Sequence, residues 1–215
     1  MPLRDVLVPR PRILFVGINP SLRSAALGHH FAGRGNPFWR LLHAARLIPV
    51  PLGAAEDRRL PGFGLALTNL CPRATRAADE LEPDELARGR ARLGRTIRRL
   101  RPRVVAFVGI GIYRLYFGHA RSGGPGPKPE RMAGARVFVV PNPSGRNASF
   151  PGFADKAVWF VRLRAFAEAA DPASRGPARP SFRSAPRARS TRHAARHRLC
   201  PLPGRDGPAR IGRQI

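Results

Sequence analysis

The chain has 215 residues, 43% of them hydrophobic, and 39 Lys and Arg against 13 Asp and Glu give a formal charge of +26. That length suits one domain or at most two, and the charge favours a polyanionic partner, nucleic acid before others. No apolar run reaches the ~18 residues of a membrane span, residues 1–11 lack the apolar stretch of a secretory signal, and two cysteines, Cys71 and Cys200, are too few for an iron–sulfur cluster, a four-cysteine zinc site or a disulfide framework. A cytoplasmic protein that neither spans nor anchors to a membrane is the expectation.

The elements alternate along the chain. Ile13 to Val16 is a short apolar run closed by Gly17 and reads as a buried strand. Phe38 to Leu47 has helical spacing, with Asn36 placed to cap it and Pro37 in its first turn. Leu65 to Thr68 reads as a second strand. Asp84 to Leu100 is the clearest helix: Leu86, Leu93, Ile97 and Leu100 keep a helical period behind Pro83. Val104 to Val108 is a third strand ending at Gly109, and Ile110 to Phe117 a short helix. Arg121 to Glu130 is rich in Gly and Pro and reads as a loop. Arg136 to Val140 is a fourth strand, stopped by Pro141, and Phe153 to Ala169 is the last helix. This order predicts an α/β fold with a mostly parallel sheet and helices on both faces.

Residues 171–215 differ in kind. They hold 11 Arg and seven Pro, with only Asp171 and Asp206 to offset the charge. The stretch reads as a disordered basic tail, able to hold DNA loosely through counterion release; a dispensable extension fits as well. The expected organisation is a folded domain over 1–170 and an Arg/Pro-rich tail over 171–215.

Ligand sites of such folds lie beyond the carboxyl ends of the strands. Two segments there match in composition: Gly17-Ile-Asn-Pro-Ser21 after the first strand and Pro141-Asn-Pro-Ser-Gly145 after the fourth. They are candidates for opposite walls of one cleft. Asn19 is the residue most suited to chemistry. A neutral amide is no strong base, but its oxygen can hold and aim a water. That suffices where the transition state is already cation-like, as in hydrolysis of an N-glycosidic bond, whose departing base leaves as an anion that N–H groups stabilise. An ordinary turn fits the same residues. Other signatures are absent. Gly109-Ile-Gly111 does not extend to a dinucleotide fingerprint, since Arg114 stands where the third Gly belongs, and no phosphate loop or HExxH occurs. His29 and His30 have no acidic or Cys partners at metal-ligand spacing, so no metal is expected. Ser144 has no evident His partner, and neither Lys128 nor Lys156 sits in a Schiff-base context.

The same residues carry a resemblance. Gly17-Ile-Asn-Pro-Ser-Leu-Arg-Ser-Ala25, continuing through Gly28-His-His-Phe-Ala-Gly-Arg-Gly-Asn-Pro-Phe-Trp39, then Leu67-Thr-Asn-Leu70, then Pro141-Asn-Pro-Ser-Gly-Arg-Asn-Ala-Ser-Phe150, resemble the mismatch-specific uracil-DNA glycosylase / thymine-DNA glycosylase family of the uracil-DNA glycosylase superfamily. The likeness runs from about residue 10 to 169. It implies a three-layer α/β/α sandwich around a short, mostly parallel sheet. It implies a monomeric, monofunctional enzyme without metal or cofactor that removes uracil mispaired with guanine in double-stranded DNA and leaves an abasic site. By the same resemblance Asn19 positions the water, and Ile18, Ser21, Ser24 and Phe31 line the base pocket, Phe31 by stacking on the flipped base. Ser144, Gly145, Arg146 and Asn147 form the wedge that enters the duplex, Asn36 and Asn142 support the two loops, and Asp79 is a possible auxiliary acid or base. Ser21 departs from the family's usual Gly, which implies a smaller pocket or an added hydrogen bond to the base and counts against thymine without excluding it. Hypoxanthine, xanthine, ethenocytosine or thymine remain open as substrates, as do a non-catalytic DNA-binding module and a hydrolase of small nucleosides.

Overall fold

The four apolar runs become parallel strands for a simple reason: each is five or six residues long, buried on both faces, and separated from the next by enough chain to cross over. In the computed structural model, which describes residues 3–118, 123–145 and 147–169, these strands are β1 (Ile13–Gly17), β2 (Leu65–Asn69), β3 (Val104–Val108) and β5 (Ala135–Val140). The sheet order is β2-β1-β3-β5-β4, with β4 (Gly126–Met132) antiparallel to β5 and the other pairings parallel. The helices are α1 (Leu22–Leu27), α2 (Phe38–Ala44), α3 (Pro83–Leu100), α4 (Ile110–Phe117) and α5 (Phe153–Glu168), with 3₁₀ segments at Ala54–Phe63 and Ala78–Glu80. All described residues belong to one unit, Met1–Pro177. The expected basic tail, 171–215, lies outside them.

Strand alternation sorts the core into two layers. Ile13, Phe15, Leu65, Leu67, Val104, Ala106 and Phe138 pack against Phe38, Leu41 and Leu42 of α2 and Phe160 and Leu163 of α5. Leu14, Val16, Ala66, Val105, Phe107, Val137 and Val139 pack against Leu93 and Ile97 of α3 and Ile112 and Tyr113 of α4. The result is the expected three-layer α/β/α sandwich. The sharpest helix signal, α3, carries its charges in the favourable sense: Pro83 opens it, Asp84 and Glu85 occupy its first turn and Arg98 and Arg99 its last, each favourable to the helix dipole.

Two expectations are corrected. The Gly/Pro-rich segment read as a loop over 121–130 instead contributes β4. It forms a hairpin with β5 through Ala133 and Gly134, both at positive φ. Pro127 and Pro129 are tolerated because β4 is an edge strand, where a missing N–H costs no inner ladder bond. The helix read over Phe38–Leu47 stops at Ala44, since Arg46 turns left-handed at φ 55.

Candidate active site

The sheet pairing extends past the strand ends and builds the site. Beyond Gly17, the Leu70 N–H donates to Gly17 O (2.8 Å), the Cys71 N–H to Ile18 O (2.8 Å) and the Thr75 N–H to Pro20 O (3.2 Å), and Ser21 bridges Thr75. Residues 17–21 and 70–75, some fifty positions apart in the chain, therefore run side by side at the carboxyl edge.

Asn19, half-buried, reaches from the first segment to the second. Its Nδ2 donates to Arg73 O at 3.0 Å and to Thr75 Oγ1 at 2.7 Å. The Thr75 hydroxyl proton is committed elsewhere, to Ala77 O at 2.5 Å, so Thr75 Oγ1 accepts from Asn19 rather than donates. Both neighbours are acceptors, which fixes the amide with its NH₂ inward and leaves Oδ1 unbonded to any described residue. Sequence reasoning missed Arg73 O and Thr75 as the groups that orient this amide.

The adjoining niche centres on Gly17. A Cβ there would collide with Asn69 Oδ1 and lie 3.9 Å from Phe31 Cζ, so the missing side chain lets the Asn69 amide and the Phe31 ring converge on the end of β1. Asn69 is 6% exposed, and its side-chain amide bonds no described residue. Its backbone carbonyl is held by Arg92 Nη2, whose guanidinium is in turn paired with Asp5 at 3.1 Å. Asn69 was visible only as a strand-end residue within a similar segment; a buried polar side chain at the ligand edge of a sheet was the available signal. Phe31 is half-buried, and its ring stacks on Phe38 at 3.8 Å and 19°.

Phe31 adopts φ 52, a conformation unfavourable to a side chain with a Cβ, and its surroundings hold it there. Asp57, fully buried, accepts from the His30 N–H (3.1 Å) and faces His29 Nδ1 at 3.2 Å. His30 Nε2 bonds Arg4 O, Trp39 Nε1 bonds His30 O, and burial pushes the His30 pKa down. Asp57 lies in a 3₁₀ segment without hydrophobic period and carried no signal in the sequence. Ser24, also buried, accepts from the Ala32 N–H at 3.1 Å and from the Ser21 hydroxyl at 3.1 Å, while Ser21 Oγ accepts from the Ser24 N–H as the N-cap of α1. Ser21 and Ser24 thus also brace α1 against the Phe31 segment. Ile18 flanks Asn19, half-buried. Asn36 Oδ1 accepts from the Phe38 N–H at 3.0 Å, tying the loop to α2.

The second segment follows β5, which lies two strands from β1, about 10 Å across the sheet at the usual strand spacing. Gly109, at the end of β3 with φ 126, lies between the two segments, and a Cβ there would meet Asn142 Cβ at 3.5 Å. Asn142 Oδ1 accepts from the Ser144 N–H (2.9 Å), and its carbonyl accepts from Asn147 Nδ2 (3.0 Å). Asn147 N–H closes the turn on Ser144 O at 3.1 Å. Gly145 is exposed at the tip, and Arg146 lies outside the described residues. Asp79 is exposed on its 3₁₀ turn and bonds no described residue. Among the described residues no group of His, Cys, Asp or Glu could hold a metal ion, and no helix is long and apolar enough to cross a membrane.

These features define a class: a three-layer α/β protein that sets a fixed amide and a tight Pro-Asn-Pro-Ser turn at the carboxyl edge of a parallel sheet. A model of the uracil DNA glycosylase superfamily matches residues 5–164, and the chain belongs to that superfamily. It is 33% identical over 168 residues to a protein of Schizosaccharomyces pombe (strain 972 / ATCC 24843) named G/U mismatch-specific uracil DNA glycosylase, an alignment covering 72% of this chain and 50% of that protein. The chain thus spans about half the length of that curated relative.

Proposed function

We propose that the protein is a monofunctional DNA glycosylase that hydrolyses the N-glycosidic bond of uracil mispaired with guanine in duplex DNA. The observation that carries this reading is the Asn19 amide, held by Arg73 O and Thr75 Oγ1 so that Oδ1 is left to accept a hydrogen bond from water. The flipped nucleotide enters the niche at Gly17, its base on the free face of Phe31. The Asn69 amide offers a donor and an acceptor side by side, the complement of the uracil imide edge. The C1′–N1 bond breaks as the base leaves with the bonding pair; the water oxygen bonds C1′ and its proton passes to the departing base or to solvent. Residues 144–147 occupy the gap in the duplex, and the arginine-rich surface holds the phosphates. The relative's name supports the preference for uracil opposite guanine.

The test uses a labelled duplex with one uracil opposite guanine, incubated in EDTA and then treated with alkali, beside duplexes carrying thymine, hypoxanthine, xanthine or ethenocytosine. The expected product is strand cleavage after alkali only, from the uracil duplex, and lost in Asn19→Ala. Undiminished excision by folded Asn19→Ala protein overturns the mechanism.

A further inference from the structure

Opposite the catalytic edge, where the parallel strands begin, lies a cavity of about 960 Å³. Its walls come from the segments that enter β1, β2 and β3 and from the turn that ends α2. Four arginines line it, Arg10, Arg12, Arg46 and Arg103, and none of the described lining residues is acidic. Phe63, half-buried, supplies an apolar face.

Two of these arginines stand where folding alone favours glycine. The turn that ends α2 pairs the Leu47 N–H with Leu42 O (2.9 Å) and the Arg46 N–H with His43 O (2.8 Å), a closure whose left-handed seat is usually filled by Gly. Arg46 fills it at φ 55, and Arg10 is left-handed at φ 48 just before β1. Both are exposed, so core packing explains neither. Arg12 is fixed in advance: its Nη2 donates to Leu47 O at 3.0 Å.

Guanidinium groups are permanently charged and bind phosphate oxygens in pairs. Several of them around a concavity of small-ligand size, beside an apolar face, match a phosphorylated small molecule with a ring system. We propose that this cavity is a second ligand site that takes a nucleoside polyphosphate, with its phosphates among Arg10, Arg12, Arg46 and Arg103 and its base on the Phe63 side. The site is independent of Asn19, because strands of five residues separate the two edges by roughly 17 Å.

The test titrates ATP into the full chain by calorimetry, beside adenosine, tripolyphosphate and an undamaged duplex. One ATP per chain is expected, with adenosine and tripolyphosphate each at least tenfold weaker. The double variant Arg10→Gly/Arg46→Gly removes two guanidiniums and places at both left-handed positions the residue they favour, so the fold persists. Its ATP affinity is expected to fall at least tenfold with no drop in thermal midpoint, a control that does not depend on glycosylase activity. The proposal is overturned by absence of ATP binding to the wild-type chain. It is equally overturned by ATP binding unchanged in the variant, which assigns the nucleotide to arginines elsewhere. Tripolyphosphate binding as tightly as ATP removes the nucleoside from the site. A variant that loses duplex affinity while the wild type ignores ATP assigns the arginines to DNA.

Discussion

Thr75→Val is the perturbation that isolates the aim of the Asn19 amide. Valine keeps the shape of a residue only 4% exposed and removes two bonds, the one accepted from Asn19 Nδ2 at 2.7 Å and the one donated to Ala77 O at 2.5 Å. Only the first bears on the amide. Its net worth is about 1 kcal/mol, and the bond to Arg73 O at 3.0 Å survives. The amide then rotates between one acceptor and an apolar wall, and the fraction of time Oδ1 faces the cleft falls. At about 1.4 kcal/mol per decade of rate, the single-turnover excision rate is expected to drop roughly five- to tenfold, with duplex affinity little changed. Thr75→Ser restores the hydroxyl and with it the rate. The assay is single-turnover cleavage of a G:U duplex after alkali, with circular dichroism as the check on folding. A folded Thr75→Val protein at the wild-type rate, or a serine variant no faster than the valine, refutes the argument that this hydroxyl directs Asn19.

Three further outcomes follow from the packing around the site. Gly89→Ala on α3 should destabilise, although Gly→Ala inside a helix ordinarily stabilises by up to ~1 kcal/mol: the new Cβ would lie 2.5 Å from Leu70 O and 3.2 Å from Cys71 Sγ. Overpacking of that kind costs about 1–3 kcal/mol, read from the urea midpoint, and an unchanged midpoint refutes the contact. Asp57→Ala strips the acceptor from the His30 N–H and from His29; a loss of about 2–3 kcal/mol is expected, together with excision weakened through the displaced Phe31, and a thermal midpoint equal to wild type counts against it. Glu85 is held at about 2 by the Arg73 guanidinium and then by the Glu82 N–H. Its folded value lies below its ordinary 4.5, so its contribution is complete above pH 4.5 and lost as pH falls through about 2. The stability gap between wild type and Glu85→Gln should therefore close over that acid range and stay constant above it, as urea titrations at several pH values would show.

The chain made its buried strands legible and its site only half so. β1, β3 and β5 stand out because a parallel strand covered on both faces is a continuous apolar run, and α4 because Gly109 and Gly118 bracket it. β4 was hidden because an edge strand need not be apolar: its burial alternates, and its two prolines read as loop. Asn19 was legible because it sits in a motif directly after its strand. Thr75 and Arg73 were not, because they become neighbours of Asn19 only through the register of β1 on β2, which no local pattern encodes. Asp57 was less visible still, in a segment with no period, yet its carboxylate sets the loop that holds Phe31. The places of Ser21 and Ser24 in the motif were legible, but not the bonds their hydroxyls make with each other and with the backbone, which depend on the fold of the loop between α1 and α2.

The same geometry favours an amide over a carboxylate at position 19. A carboxylate is the better partner for an oxocarbenium-like sugar, and on charge alone Asn19→Asp would make a more reactive enzyme. The two groups that face the side chain, however, are Arg73 O and a Thr75 Oγ1 whose proton is on Ala77 O. An ionised Asp would set negative charge against two lone pairs at hydrogen-bond distance, so it must either turn away or draw the Thr75 proton from Ala77 O. Acceptors around a carboxyl disfavour its charged form and raise its pKa. Its protonated form can still donate one bond inward and keep an oxygen towards the cleft. Asn19→Asp is therefore expected to be slower than wild type at neutral pH and to regain rate as pH falls, the reverse of what a catalytic carboxylate would show. A variant faster than wild type at pH 7 would mean that the loop over 70–77 repacks to supply donors, and that the orientation of Asn19 is set by something other than Thr75 and Arg73.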